Sequence, residues 1–204
     1  MNKILEKIYK TYKIGEPIFT KEILSLFNVS KQRIYIYLKE GLLLGEIKKG
    51  DNYYYIPKYE VVNGIENDNK PTYRSVIEKK YISNGVDIYG CYAGKTLEKR
   101  LNVIEQEPAI EEIVTNNTTR RIKEKIIEKN KVILRRPYMK ITKDNCKEYE
   151  LLQLLTDIDK EVLVKRKDRV KTYIKKSKLS LEKAKRISKN FPMKTRKRLK
   201  ELEL

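Results

Sequence analysis

Gln32 and Arg33, flanked by Ser30, Lys31, Tyr35 and Lys39, are the residues of this chain whose types and spacing suit recognition chemistry. Gln and Arg side chains bond two groups of a base edge at once, whereas Ser, Lys and Tyr reach phosphate oxygens. Ile34, Tyr37, Leu38 and Leu42 fall at i, i+3, i+4 and i+8, so a helix here turns one apolar stripe inward. Lys31, Gln32, Arg33, Tyr35 and Lys39 are then left facing out, with the N-terminal residues best placed to read bases in a major groove. Further candidate DNA contacts are Thr20, Lys48, Lys49, Lys165, Arg166, Lys194, Arg196, Lys197 and Arg198.

The elements needed to hold these residues are written around them. Thr20 and Ser30 are both suited to cap a helix, since a side-chain oxygen accepts from the free N–H groups of the first turn. Between them, Lys21 to Phe27 forms a short helix with Ile23, Leu24 and Phe27 inward, and Asn28-Val29 turns the chain. The second helix starts at Lys31 and, because Gly41 weakens it, either stops at Glu40 or continues to Leu44. Ahead of the pair, Lys3 to Tyr12 is a helix with Ile4, Leu5, Ile8 and Tyr9 on one side, closed by Gly15 and Pro17. Behind it, Glu46 to Lys49 and Tyr53 to Ile56 flank the turn residues Gly50-Asp51-Asn52, and Pro57 ends the second run. Three helices and a hairpin in this order predict a winged helix-turn-helix. The same residues also fit a three-helix core whose hairpin binds nothing.

Composition narrows the chemistry. The chain has 204 residues and a net charge of +19, of which +13 lies between Lys165 and Leu204, where 17 side chains are basic and 4 acidic. Such an excess favours polyanionic partners. Lys, Ile, Asn and Tyr are all abundant, as in proteins of AT-rich genomes, but that bias does not leave lysine unbalanced by glutamate. There is no histidine, which removes Ser-His-Asp and Cys-His nucleophiles and histidine zinc sites. Cys91 and Cys146 match no metal-ligand spacing and fit a reducing compartment. No catalytic set, metal or cofactor is expected. With neither a signal peptide nor a bilayer-length apolar run in view, the expected location is the cytoplasm, away from membranes.

Beyond the hairpin, the polar stretch Glu66 to Pro71 is read as the exit from the first domain. Ser75 to Tyr81 predicts a helix, Asn84-Gly85 a turn, and Gly90-Cys91-Tyr92-Ala93-Gly94 the opening of a helix through Leu101. Strands are expected at Glu112 to Thr115, Arg121 to Ile127 and Val132 to Arg136, separated by Asn116-Asn117 and Asn130-Lys131. Asp144 or Asn145 caps a helix carrying Leu151, Leu152, Leu154 and Leu155, and basic helices follow from Asp159, with breaks near Ser177 to Ser180 and at Phe191-Pro192. The fold class is therefore α+β: a winged helix-turn-helix over 1–65, an α+β domain with an antiparallel meander over 72–158, and basic helices over 159–204.

Several segments, taken in order, resemble the AbiEi-like antitoxin family of abortive-infection toxin–antitoxin systems. They are Phe19-Thr20, Val29-Ser30, Gly45-Glu46-Ile47 and Tyr54-Tyr55-Ile56-Pro57; then Tyr81-Ile82, Tyr89 to Gly94, Gln106-Glu107-Pro108, Glu112 to Asn116 and Val132 to Pro137; and finally Phe191-Pro192 with Lys194 to Lys197. The likeness spans nearly the whole chain and rests on order and spacing more than on any one motif. It implies an antitoxin that binds operator DNA, represses its own operon and counters a nucleotidyltransferase toxin, with the 72–158 domain serving toxin control. Asn102 stands where relatives commonly have glycine, and asparagine also tolerates a left-handed backbone.

Other functions are compatible with the residues. The chain could neutralise a partner enzyme by direct contact, its basic tail against an acidic surface. A carboxylate–metal nuclease would draw on Asp144, Glu148, Asp157 or Asp159, although these acids equally serve as caps and surface charge. RNA binding is a further option, without an aromatic platform of the kind single-strand readers use.

Overall fold

The computed structural model describes residues 3–62 and 65–202 of the chain. The architecture is mixed α+β, and the chain divides into two compact units, Met1–Ile77 and Glu78–Leu204.

In the first unit, helix α1 (Lys3–Thr11), α2 (Thr20–Leu26) and α3 (Lys31–Leu43) enclose a core of Ile4, Leu5, Ile8, Ile18, Ile23, Ile34, Leu38, Ile47, Tyr54 and Ile56. Tyr37, Leu42, Leu24 and Phe27 pack at its margin, so the apolar stripe foreseen on the second helix faces inward. Helix α3 does not stop at Gly41. A Cβ there would lie 2.7 Å from Leu5 Cδ2, so glycine is what lets α1 approach α3. Ser30 caps α3, accepting from the Arg33 N–H at 3.3 Å. Thr20 does not cap α2: the helix already includes it, Phe19 holds the cap position, and the Glu22 carboxylate accepts from the Phe19 N–H at 2.8 Å.

Strands β1 (Lys48–Lys49) and β2 (Tyr54–Tyr55) form the expected hairpin, with Gly50 N–H donating to the Tyr53 carbonyl. It is shorter than the sequence suggests, and its three tyrosines are all buried. Tyr54 enters the helical core and exchanges two 2.8 Å backbone bonds with Ile18, while the Tyr55 hydroxyl donates to Asp68 at 2.9 Å. A second hairpin, β3 (Glu60–Val62) with β4 (Ile65–Asn67), runs into the start of the stretch from Glu66 to Pro71 that the sequence reads as an exit. The unit therefore extends past residue 65. Lys48 and Tyr55 both hold Asp68, and Gly15 packs so closely on Asn69 that a Cβ would stand 2.7 Å from its carbonyl oxygen.

The second unit is built on a four-stranded sheet of β5 (Gly90–Tyr92), β6 (Glu111–Thr115), β7 (Ile122–Ile127) and β8 (Asn130–Arg135) in the order β5-β6-β8-β7. The antiparallel meander is thus corrected: β8 runs parallel to β6 and lies between β6 and β7. Burial explains the order. Val132 and Leu134 of β8 are buried on a central strand, whereas β7 alternates Ile122, Glu124 and Ile126 outward with Lys123 and Lys125, a composition suited to an edge. A second correction concerns Gly90 to Tyr92, which form a buried strand before the short helix α5 (Gly94–Arg100) begins. Helix α4 (Tyr73–Tyr81) spans the division between the units.

Helix α6 (Cys146–Asp157) buries Tyr149, Leu151, Leu152, Leu154 and Leu155 together with the polar Glu148, Gln153 and Thr156. Asn145 occupies its cap position, but its side chain bonds Thr142 N–H and the Lys140 carbonyl instead of the helix. Helices α7 (Lys160–Lys165), α8 (Lys167–Lys176), α9 (Leu181–Ile187) and α10 (Met193–Leu202) follow, with breaks at 177–180 and 191–192 as expected and another at Arg166. These basic helices belong to the second compact unit rather than standing apart as 159–204. Phe191 packs 5.0 Å from the Tyr149 and Tyr138 rings, and the buried Thr156 and Thr195 hydroxyls bond at 2.8 Å. No helix among the described residues is long and apolar enough to cross a membrane.

Candidate nucleic-acid interface

Lys31, Gln32, Arg33, Tyr35 and Lys39 are all exposed on α3, on the face left by the buried stripe. Two of them are pre-ordered along the helix. The Arg33 Nε donates to the Tyr37 hydroxyl at 3.3 Å with its guanidinium over that ring, and the Lys31 ammonium sits 5.8 Å from the Tyr35 ring centroid. Ser30 spends an acceptor lone pair on its cap, which leaves its hydroxyl proton to donate. Thr20 is half-buried at the start of α2.

The same face carries a residue that the sequence reading passed over. Ile36 is 66% exposed, and Leu43 at the end of the helix is 80% exposed. Gln32, Ile36, Lys39 and Leu43 fall at i, i+4, i+7 and i+11, one line along α3. That spacing was available in the sequence as a branched apolar residue outside the inward stripe. On a groove-reading helix such a side chain suits the thymine methyl group.

The hairpin lysines differ. Lys48 pairs with Asp68 at 2.8 Å and lies 5.0 Å from the Tyr59 ring, and its hydrogen bond to the carboxylate raises its pKa. The Lys48 and Tyr55 bonds hold the Asp68 carboxyl below its ordinary range, against a smaller effect of burial. Lys49 is exposed.

In the second unit the dense run Lys194 to Arg198 is divided by its helix. Lys194, Arg196 and Lys197 are exposed, whereas Thr195 is fully buried and Arg198 turns inward. Arg198 Nη1 donates to the Leu155 and Ile158 carbonyls, each at 2.8 Å, at the C-terminal end of α6. Those carbonyls have no partner within the helix, so the guanidinium closes its end. Arg198 is therefore withdrawn from the candidate contacts. The signal was present as Thr195, Arg198, Leu199 and Leu202, an inward spacing of i, i+3, i+4 and i+7. Lys165 is exposed, and Arg166 faces Glu105 at 4.0 Å.

The acids considered for metal chemistry are engaged separately. Asp157 binds Arg135 at 2.9 Å, accepts from the Gly94 N–H and from Gln153, and so joins α6 to β8 and α5, with Glu112 on the other side of Arg135. Glu148 accepts from the Ser180 N–H and faces Lys183, and Asp159 faces Lys95 at 3.2 Å. Asp144 is exposed beside the α6 cap. Among the described residues no group of three or more His, Cys, Asp or Glu is arranged to hold a metal ion.

No protein-family model matches this chain, and no curated protein matches it.

Proposed function

We propose that this protein is a DNA-binding autorepressor and the antitoxin of a toxin–antitoxin pair, with a winged helix-turn-helix in its first unit. The observation that carries the DNA reading is the exposed row on α3: Gln32 and Arg33 near the capped N-terminus, cations beside them and Ile36 in line. Gln32 and Arg33 would read base edges, Ile36 a thymine methyl, and Ser30, Lys31, Tyr35 and Lys39 the phosphates. Lys49 would be the charge the hairpin brings to the backbone, since Lys48 is neutralised by Asp68. The exposed lysines and arginine of α10 would add phosphate contacts. The antitoxin role, and a nucleotidyltransferase toxin as the protein countered, rest on the resemblance to the AbiEi-like antitoxins.

The test is a fluorescence-anisotropy titration of the full chain against its own upstream DNA and a scrambled duplex of equal length, at two salt concentrations. Operator-selective binding is expected, with affinity falling by a log–log slope of about −0.9 for each phosphate neutralised. Arg33→Ala should cost about 1–3 kcal/mol on the operator and little on scrambled DNA, if the side chain reads a base. Equal, weak binding to both duplexes would reject the repressor reading and favour direct neutralisation of a partner enzyme.

A further inference from the structure

Two neighbouring cavities of the second unit share one wall. The first, about 420 Å³, is lined by Arg100, Asp168, Arg169, Thr172, Tyr173 and Lys176. The second, about 350 Å³, is lined by Lys95, Lys165 and Arg166 over an apolar floor that includes Val103 and Val162. In both, one wall is α5 with the segment after it; the other is α8 in the first cavity and α7 with Arg166 in the second. Cations exceed acids in each, and the volumes fall in the range of small-molecule sites.

Glu105 also lines the second cavity, and its carboxylate lies 4.0 Å from Arg166 Nη2 of that cavity and 3.6 Å from Arg169 Nη2 of the first. Its side chain is 80% exposed, so little besides these two guanidinium groups holds it. Arg169 is anchored, its Nη1 donating to the Asn102 carbonyl at 2.6 Å, where Asn102 adopts φ +55°. Arg100 of the same cavity stacks 4.0 Å from the Tyr92 ring centroid with Glu78 at 3.4 Å. An anchored arginine and a second guanidinium beside a weakly held carboxylate form an anion site, because the guanidinium fork matches phosphate as well as carboxylate.

We propose that this cleft binds the phosphate groups of a nucleotide, with Glu105 occupying the anion position until the ligand displaces it. Lys176 supplies a further donor in the larger cavity, and the Tyr173 ring an apolar wall for the remainder of the ligand. The site is separate from the α3 face and does not depend on the operator reading. A free nucleotide and the phosphorylated end of a nucleic-acid strand present the same chemistry.

Isothermal titration of the full chain with pyrophosphate, ATP, and a short single strand with or without a 5′-phosphate tests this. Arg166→Gln and Lys176→Gln should each weaken pyrophosphate binding by about tenfold, as expected for loss of one charge-assisted contact. Glu105→Gln should strengthen it, while Lys189→Gln, an exposed charge lining neither cavity, should leave it unchanged. ATP binding above that of the phosphorylated strand would assign a free nucleotide, and the reverse order a strand end. Absence of binding at millimolar concentration, an equal loss in Lys189→Gln, or no gain in Glu105→Gln would overturn the proposal. Operator affinity, measured alongside, should be unaffected by Glu105→Gln at the salt where specific binding is read.

Discussion

Arg198 gives the sharpest contrast between a charge that serves the fold and one that is free for a polyanion. Replacing it with alanine removes two 2.8 Å bonds from one cationic nitrogen to the Leu155 and Ile158 carbonyls. Hydrogen bonds to charged groups contribute about 1.5–3 kcal/mol each, but these two share one nitrogen on a half-buried side chain, so the pair is worth less than their sum. The expected cost is about 2–3 kcal/mol. With a urea m-value of roughly 1–3 kcal/mol/M, the unfolding midpoint moves down by about 0.7–3 M, and Tm by roughly 4–12 °C. Urea unfolding followed by far-UV circular dichroism reads this directly, since the bonds lie within the helical second unit. Lys197→Ala, one residue earlier and exposed, should leave the midpoint in place and lower DNA affinity in a salt-dependent way. If Arg198→Ala unfolds within about 0.5 kcal/mol of the parent protein and loses DNA affinity as Lys197→Ala does, Arg198 does not close α6 and the inward assignment is wrong.

Three further outcomes are expected. Ile36→Asp should leave stability nearly unchanged, because the side chain is 66% exposed, yet reduce operator affinity by at least tenfold; unchanged anisotropy would remove α3 from the DNA surface. Gly90→Ala should destabilise the second unit by about 3 kcal/mol or more, since the new methyl would meet the Tyr81 carbonyl and lie 2.8 Å from that of Val114, backbone atoms that cannot turn away; a native-like thermal melt would contradict this. Glu150, pushed above its ordinary value of 4.5 by burial against an opposing hydrogen bond from Tyr173, binds its proton more tightly folded than unfolded. Its contribution to stability is therefore greatest below the unfolded value and declines as pH rises from about 4.5 through the raised folded value. Glu150→Gln should flatten that decline in pH-dependent urea unfolding, and an unchanged slope would refute the assignment.

What the sequence made legible was periodic and local. The α3 stripe, the Ser30 cap, the hairpin around Gly50 and the breaks in the basic region each depend on residues within a few positions of one another. The left-handed backbone tolerated at Asn102 is of the same kind, and it is present at φ +55°. The misses required partners distant in sequence. Parallel pairing of β6 with β8 depends on β7 being pushed to the edge, and only its alternating charges, Lys123, Glu124 and Lys125, hinted at that. The limit of the first unit depends on Asp68 reaching back twenty residues to Lys48.

Charge shows the same division more sharply. A count of lysines and arginines treats each as a unit available to a polyanion, but a folded chain spends some of them internally. Lys48 is held by Asp68, Arg166 faces Glu105, and Arg198 closes a helix, whereas Lys39, Lys49, Lys194 and Lys197 remain exposed. Both classes carry the same formal charge and contribute equally to +19. They differ in what binding can recover. An exposed lysine releases counterions when it meets a phosphate, while a paired one must first give up its carboxylate, so its contribution to the salt dependence is smaller. The salt slope of operator binding should therefore count the exposed cations at the contact surface, and Lys49→Gln should reduce it more than Lys48→Gln does. Equal reductions would mean that Asp68 releases Lys48 on binding, and the hairpin would then present both lysines to the DNA.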